Sequence, residues 1–279
     1  MIKNIFYILI FGLLILVSCD TVEEPYVEPG QTVWNGRKII LFDFTGHKCV
    51  NCPAAHEKVN QLQESFGEAI VPIAVHCTYF SNTDSHDFKY DFTCPEGIEL
   101  GGDETGPGYF DFITLPKGAV NTFVAEEVSA PGQWASLVQP FLADYPEFSI
   151  DINNSYNSTD SIISSDISVT TVITNPRNIS LCVYVLESGI VKPQADANAE
   201  VSPVQDYVHN HVLRGSMSGT WGESINGSSE ENTESDTYSE SYELKINNDW
   251  KPENISIVAF IYDFDSKEIL QAEENELIH

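Results

Sequence analysis

The chain has 279 residues, 42 of them acidic and 13 basic, for a formal net charge of −29 at pH 7. So few Lys and Arg argue against nucleic acid as a partner, because phosphate contacts need cationic side chains. Hydrophobic residues at 42% and aromatics at 11% exclude a disordered chain and suffice for two modest cores.

The first segment reads as a signal rather than as fold. Lys3 supplies a positive start, Ile5 to Val17 is an unbroken apolar run, and Leu16-Val17-Ser18-Cys19 closes it. The run is too short for a bilayer, which takes roughly 20 apolar residues, and suits a signal-peptide core. The closing motif resembles the bacterial lipobox. That implies removal of residues 1–18, acylation of Cys19 and a membrane partner reached through the lipid. Residues 19–36 are acidic and Pro-containing with no apolar period, as expected of a flexible tether. Asp20, Glu23 and Glu24 loosely resemble a surface-export signal of Bacteroidetes lipoproteins.

Lys38 to Phe44 is a compact apolar run and predicts a central strand. Five residues later comes Cys49-Val50-Asn51-Cys52, followed by Pro53 where a first helical turn begins. Val59, Leu62 and Phe66 share one face of a helix over 54–66 that Gly67 ends. Ile70 to Val75 predicts a second buried strand, completing a βαβ-type unit. Residues 78–112 are polar, Gly-rich and aromatic, long enough to hold a short helix or a lid. Leu115-Pro116 precedes a further strand at 119–124, and 133–144 is a helix interrupted by Pro140.

The texture changes after Pro146. β-prone runs at 148–152, 162–173, 179–186, 238–246, 255–264 and 268–272 are separated by turn clusters such as Asn175-Pro176. This predicts an all-β antiparallel sandwich over 147–279, following an α/β domain over 37–146. The acidic stretch 223–243 reads as a mobile hairpin insertion; it lacks the ligand spacing of an EF-hand.

Exported chains live where disulfides persist. Cys182 sits in a strand-like run and reads as a buried, inert thiol. Cys77 and Cys94 flank a polar loop, and their pairing stays open. Cys49 and Cys52 at a helix N-terminus have a clearer use. Partly positive N–H groups stabilise a thiolate there, Lys48 and His47 add charge, and Cys52 lies within reach to close a disulfide. A metal reading competes, because Cys49, Cys52 and His56 form C-x₂-C-x₃-H, with His76 as a further donor. His209 and His211 also qualify, since alternate strand residues share a face; a structural role for them is the simpler reading.

The run 41–49, with Asp43 six residues before Cys49, resembles thioredoxin-like proteins. The resemblance implies that Cys49 is the nucleophile, Cys52 resolves, Asp43 assists with the proton, and Pro116 is a cis-proline opposite the pair. Lys48 replaces the usual aromatic before the first cysteine, and Val50-Asn51 departs from familiar dipeptides. Taken with Phe44 to Pro53, the segments Asp206 to Gly215 and Gly219 to Glu223 make the chain resemble the Omp-twenty-eight-related outer-membrane lipoproteins of Bacteroidetes. That implies a thioredoxin-like domain fused to a β-sandwich in the cell envelope, with no cofactor.

Three functions follow. A thiol–disulfide exchange protein acts on protein thiols and requires an accessible Cys49. A surface binding or adhesion lipoprotein carries the same disulfide as a structural link. Copper or zinc handling requires the thiolate and imidazole donors to converge.

Overall fold

The computed structural model describes residues 36–227 and 231–278. The signal segment, Cys19 and nearly all of the expected tether lie outside the described residues. Strand β1 (Ile39–Thr45) is followed by helix α1 (Cys52–Phe66) and strand β2 (Ile70–His76). Every residue of β1 and β2 is buried, as parallel strands covered on both faces require. Pro53 opens α1 and Gly67, at φ 56°, ends it. Helix α2 (Pro95–Gly101) lies inside the long polar excursion. Phe92, Leu100, Phe110 and Phe112 of that excursion are buried, so it is packed structure rather than a lid. Strand β3 (Lys117–Val120) and the short helix α3 (Trp134–Val138) follow; Pro140 stops the α-helical bonding.

The second half holds β4 (Phe148–Asn157), β5 (Ile162–Thr171), β6 (Ile179–Glu187), β7 (Ile190–Val191), β8 (Val208–His209), β9 (Val212–Ser216) and β10 (Glu223–Ser224). It ends with β11 (Thr237–Lys245), β12 (Ile255–Asp263) and β13 (Ile269–Glu276). The molecule is mostly β, with mixed and antiparallel sheets and a few helices.

The two halves expected from the sequence share one sheet. Its order is β13-β12-β6-β9-β2-β1-β3, with β10 also on β6. β1 and β2 are parallel, and β9 joins β2 through a single parallel register pair, Ala74 with Val212. The described residues fall in one compact unit, so the change of texture at Pro146 is no break in packing.

The sheet also meets itself. Thr122 bridges Glu268, and Ile269 N–H donates to the Asn121 carbonyl at 2.9 Å, tying the end of β3 to the start of β13. This removes unpaired edges, which otherwise template aggregation. The enclosed face is aromatic. Phe44 lies 4.9 Å from Phe110, Phe42 5.4 Å from Phe123, and Phe123 5.0 Å from Tyr262, ring centre to ring centre. Each such pair adds about 0.5–1.5 kcal/mol beyond area burial.

Alternation explains the layers. Ile40, Phe42 and Phe44 enter the aromatic core, while Ile39 and Leu41 meet Ala55, Val59 and Leu62 of α1. In β6, Cys182, Tyr184 and Leu186 face that same aromatic core. Leu181, Val183 and Val185 face a second sheet of order β11-β5-β4. β4 keeps one polar face, with buried and exposed residues alternating from Phe148 to Ile152.

One local expectation is corrected and one open pairing is decided. The acidic stretch 223–243 is no free insertion: β11 pairs along its whole length with β5, and Asn232 is fully buried. Cys77 and Cys94 are both free and buried. The Cys94 sulfur accepts from Gly97 N–H at the start of α2, whereas Cys77 packs against Gly101 at its end, so the helix separates them. Cys182 is free and buried, and burial pushes its thiol well up.

Candidate functional site

The carboxyl end of β1 delivers the chain into a tight turn. Cys49 N–H donates to the Gly46 carbonyl at 3.0 Å and Cys52 N–H to the Cys49 carbonyl at 3.2 Å. Gly46 is needed there, because a Cβ would meet the Phe80 carbonyl at 2.7 Å. Cys49 and Cys52 form a disulfide with Cα atoms 5.4 Å apart. Cys52 opens α1, while Cys49 precedes it in the turn. Leu115–Pro116 is a cis peptide bond. Lys117 pairs with Phe44, so Pro116 stands at the same end of β1 as the disulfide.

The disulfide is not accessible: Cys49 is 2% exposed and Cys52 0%. The cover is the chain itself. β7 and β8 pair as a hairpin whose tip, residues 192–207, extends over the cysteine turn. Gln194 and Val204 exchange two backbone hydrogen bonds within it. Ala195 N–H donates to the His47 carbonyl at 2.8 Å and Ala197 N–H to the Val50 carbonyl at 2.9 Å. The fully buried Gln194 donates through Nε2 to the carbonyls of Cys49 at 3.1 Å and Gly46 at 3.3 Å. This strap thus lies along the turn as an added extended strand does.

The two residues expected to add charge at Cys49 have other partners. His47 is buried against Phe88 and Phe92 with Nε2 3.0 Å from the Asn82 carbonyl oxygen, and burial lowers its pKa. Lys48 turns toward Asp84, 3.8 Å away.

Behind the disulfide lies a polar interior. Asp43 is 2% exposed, and burial raises its carboxyl to about 8. His56, one turn after Cys52 on α1, places Nε2 2.8 Å from Thr45 Oγ1 and 3.6 Å from Asp43 Oδ2. Its Nδ1 lies 2.6 Å from the Tyr207 hydroxyl. Burial lowers His56 to about 4 and raises Tyr207 to about 12. Between about pH 4 and about pH 8 the group is a carboxylic acid, a neutral imidazole and a phenol, because a low-dielectric interior disfavours every charged form.

These residues line a cavity of about 60 Å³ together with His76, His209 and His211. His76 stacks on Phe92 with ring centres 4.4 Å apart, and neither of its ring nitrogens has a protein hydrogen-bond partner. Asp43 Oδ1 and His209 Nδ1 are likewise without one.

The metal candidates do not converge. Among the described residues no three His, Cys, Asp or Glu side chains are grouped to hold an ion. The sulfurs of Cys49 and Cys52 are bonded to each other, and both His56 nitrogens have hydrogen-bond partners. His209 and His211 do not share a strand face. β8 ends at His209, and His211 takes φ 54°, which breaks the alternation. His209 packs against Phe92 at 4.4 Å; His211 accepts from Ala74 N–H through its carbonyl.

Sequence reasoning missed the strap. Residues 192–205 carry no periodicity, and nothing local marks Gln194 as buried. Tyr207 stands inside a distinctive segment, but its contact with His56 spans 151 residues of sequence. The rest of that segment closes the aromatic core. Arg214 faces the buried Glu187 at 3.3 Å, and the Trp221 indole donates to Glu99 Oε1 at 2.6 Å.

Known proteins place the chain. No curated protein sequence matches it. HBP35 of Porphyromonas gingivalis has a similar structure: TM-score 0.62 at 14% identity, covering 87% of this chain and 76% of that one. A protein from Agrobacterium tumefaciens gives 0.51 at 10% identity, covering 87% and 95%. A domain of the outer membrane lipoprotein Omp28 from P. gingivalis is 23% identical over 48% of this chain and 90% of that one, with a TM-score of 0.33. Among the described residues no helix is long and apolar enough to cross a membrane. The family described as outer membrane protein Omp28 matches residues 104–277, a span that begins after the cysteine pair and takes in most of the fold. The chain therefore belongs to the Omp28 family, and its place is the outer membrane.

Proposed function

We propose that this outer-membrane lipoprotein, anchored through Cys19, is a latent thiol–disulfide exchange protein of thioredoxin-like build whose own strap closes the site. The parallel β1–α1–β2 unit, the antiparallel β3 and the cis Pro116 beside the cysteine turn support that build. The observation that carries the activity is the Asp43 carboxyl, buried on the strand that leads into the cysteine turn and 3.6 Å from His56 of the helix that Cys52 opens. An inert disulfide needs no unpaired acid in the interior, where such a group costs several kcal/mol. Strongly shifted titratable groups gather where protons are moved.

The reaction balances with a dithiol as reductant. Its thiolate attacks Cys49 Sγ; a mixed disulfide forms and the Cys49–Cys52 bond breaks. Cys52 leaves with the electron pair, and Asp43 supplies its proton. The second substrate thiolate then attacks the substrate sulfur bonded to Cys49; Cys49 leaves with the electron pair and takes up one of the protons the substrate thiols released to solvent, giving an oxidised substrate and two protein thiols.

The strap must move first. Gln194→Ala removes the side chain that ties it to Gly46 and Cys49. Reduction by dithiothreitol, followed by alkylation and mass measurement, should then be at least about tenfold faster than in the wild type. No reduction of the folded Gln194→Ala protein would overturn exchange.

The burial of both sulfurs favours a second reading, a surface binding lipoprotein with a structural disulfide. Under that reading Cys49→Ser with Cys52→Ser lowers stability by about 2 kcal/mol, the value for closing so short a loop, and strap variants stay unreduced.

A further inference from the structure

We infer that His56 and Tyr207 form a proton relay that joins the Asp43 carboxyl to solvent and so recharges the acid spent on Cys52. The inference rests on the exchange reading and adds two positioning residues to it.

The geometry sets the direction. Asp43 is sealed inside β1, and Cys52 is fully buried, so neither exchanges protons with water directly. His56 touches both surroundings. Its Nε2 faces Thr45 Oγ1 and Asp43 Oδ2, and its Nδ1 faces the Tyr207 hydroxyl. Tyr207 is half-buried and reaches the surface beside the strap. A phenol that keeps its proton donates to Nδ1, which leaves the Nε2 hydrogen for Thr45 Oγ1 at 2.8 Å, with Asp43 Oδ2 next to it at 3.6 Å. An imidazole in this tautomer accepts a proton at Nδ1 and releases one at Nε2.

The chemistry needs such a path. When the Cys49–Cys52 bond breaks, the electron pair goes to Cys52 Sγ in a dry interior that disfavours a thiolate. Asp43 gives up its proton and becomes a buried carboxylate, which is equally disfavoured. Transfer of the Nε2 proton to Asp43 while Asp43 protonates Cys52, matched by uptake at Nδ1 from Tyr207 and then from water, keeps the set neutral through the reduction itself. No electron passes through the relay. The titratable groups that face His56 are Asp43, His76 and His209 from neighbouring strands and Tyr207 from the strap; Tyr207 in turn feels Asp43, Glu57 on α1 and Asp196 on the strap.

The strap also depends on this contact, since Tyr207 lies at its base and bonds to Lys192 N–H through its carbonyl. A relay role and a merely structural one are therefore separated by pH profile. The experiment uses Gln194→Ala as background, with Tyr207→Phe and His56→Gln added singly. Dithiothreitol reduction is followed from about pH 5 to about pH 10, with each rate expressed per dithiothreitol thiolate. In the background protein the rate should fall once Asp43 loses its proton, above about pH 8. Each added variant should lower it about tenfold below that point and converge with the background above it.

A uniform change at every pH, or none, would overturn the relay and leave exchange standing. Absence of reduction in the background itself would overturn both. Tyr207→Phe keeps the ring, so its folded state, checked by circular dichroism, secures the result if His56→Gln misfolds.

Discussion

Two buried polar clusters in this protein are built on opposite terms. In the second half of the chain, Asn175, Asn226 and Asn232 bind one another and the backbone. Asn232 Nδ2 reaches Asn175 Oδ1 at 2.9 Å and the Arg177 carbonyl at 2.8 Å, and its Oδ1 accepts from Asn226 and from Tyr238. Beside the disulfide, Asp43 Oδ1, both nitrogens of His76 and His209 Nδ1 lack protein partners. The first cluster spends its polarity on holding strands in place. The second leaves polarity unspent where protons would have to move. A fully satisfied network rigidifies a core, whereas an unsatisfied one costs stability and calls for another reason to exist.

The sharpest way to break this contrast is to damage the satisfied cluster. Asn232→Leu should cost about 3–5 kcal/mol, since it strands several buried partners at once. Urea unfolding measures this, and a loss under about 1 kcal/mol would show the network to be dispensable.

The opposite sign is expected of Asp43→Asn. The folded carboxyl is raised to about 8 from 3.8, so native Asp43 loses stability as pH rises through that window. The variant should gain on the order of 3 kcal/mol at neutral pH and little at about pH 4. Equal gains at both would mean that ionisation is not the cause.

The smallest effect belongs to the histidines. Burial lowers His56 to about 4 and His209 to about 3, and His76 also lies well below 6.5. The unfolded chain takes up these protons first, so stability falls as pH drops from 6.5 toward the folded values. His76→Phe should remove part of that fall, on the order of 1–2 kcal/mol at about pH 5, and leave alkaline stability nearly unchanged. An acid limb identical to wild type would place its origin elsewhere.

The two clusters also differ in how far sequence reveals them. Val59 and Leu62 announce the buried face of α1, and Phe42 and Phe44 announce a buried strand, because each element repeats its own period. Pro53, Gly67 and the spacing of Asp43 to Cys49 are equally local signals. The Asn232 cluster left no such mark. Its acidic, Ser-rich surroundings read as a solvated loop, yet pairing of β11 with β5 buries the asparagine. His47 and Lys48 were legible as positions but not as states: packing against Phe88 neutralised one, and Asp84 turned the other aside.

The sequence by itself determined the long strands, the first helix, the cysteine pair and the position of Asp43 before it. These follow from short-range periodicity and from residue types that tolerate few conformations. Only the tertiary structure decided that β9 joins the halves into one sheet, that Gln194 seals the disulfide, and that Tyr207 meets His56 across 151 residues. Those contacts form between segments with no shared period. They exist because the closed sheet brings the β7–β8 hairpin over the cysteine turn, where the backbone carbonyls of His47 and Val50 accept its N–H groups.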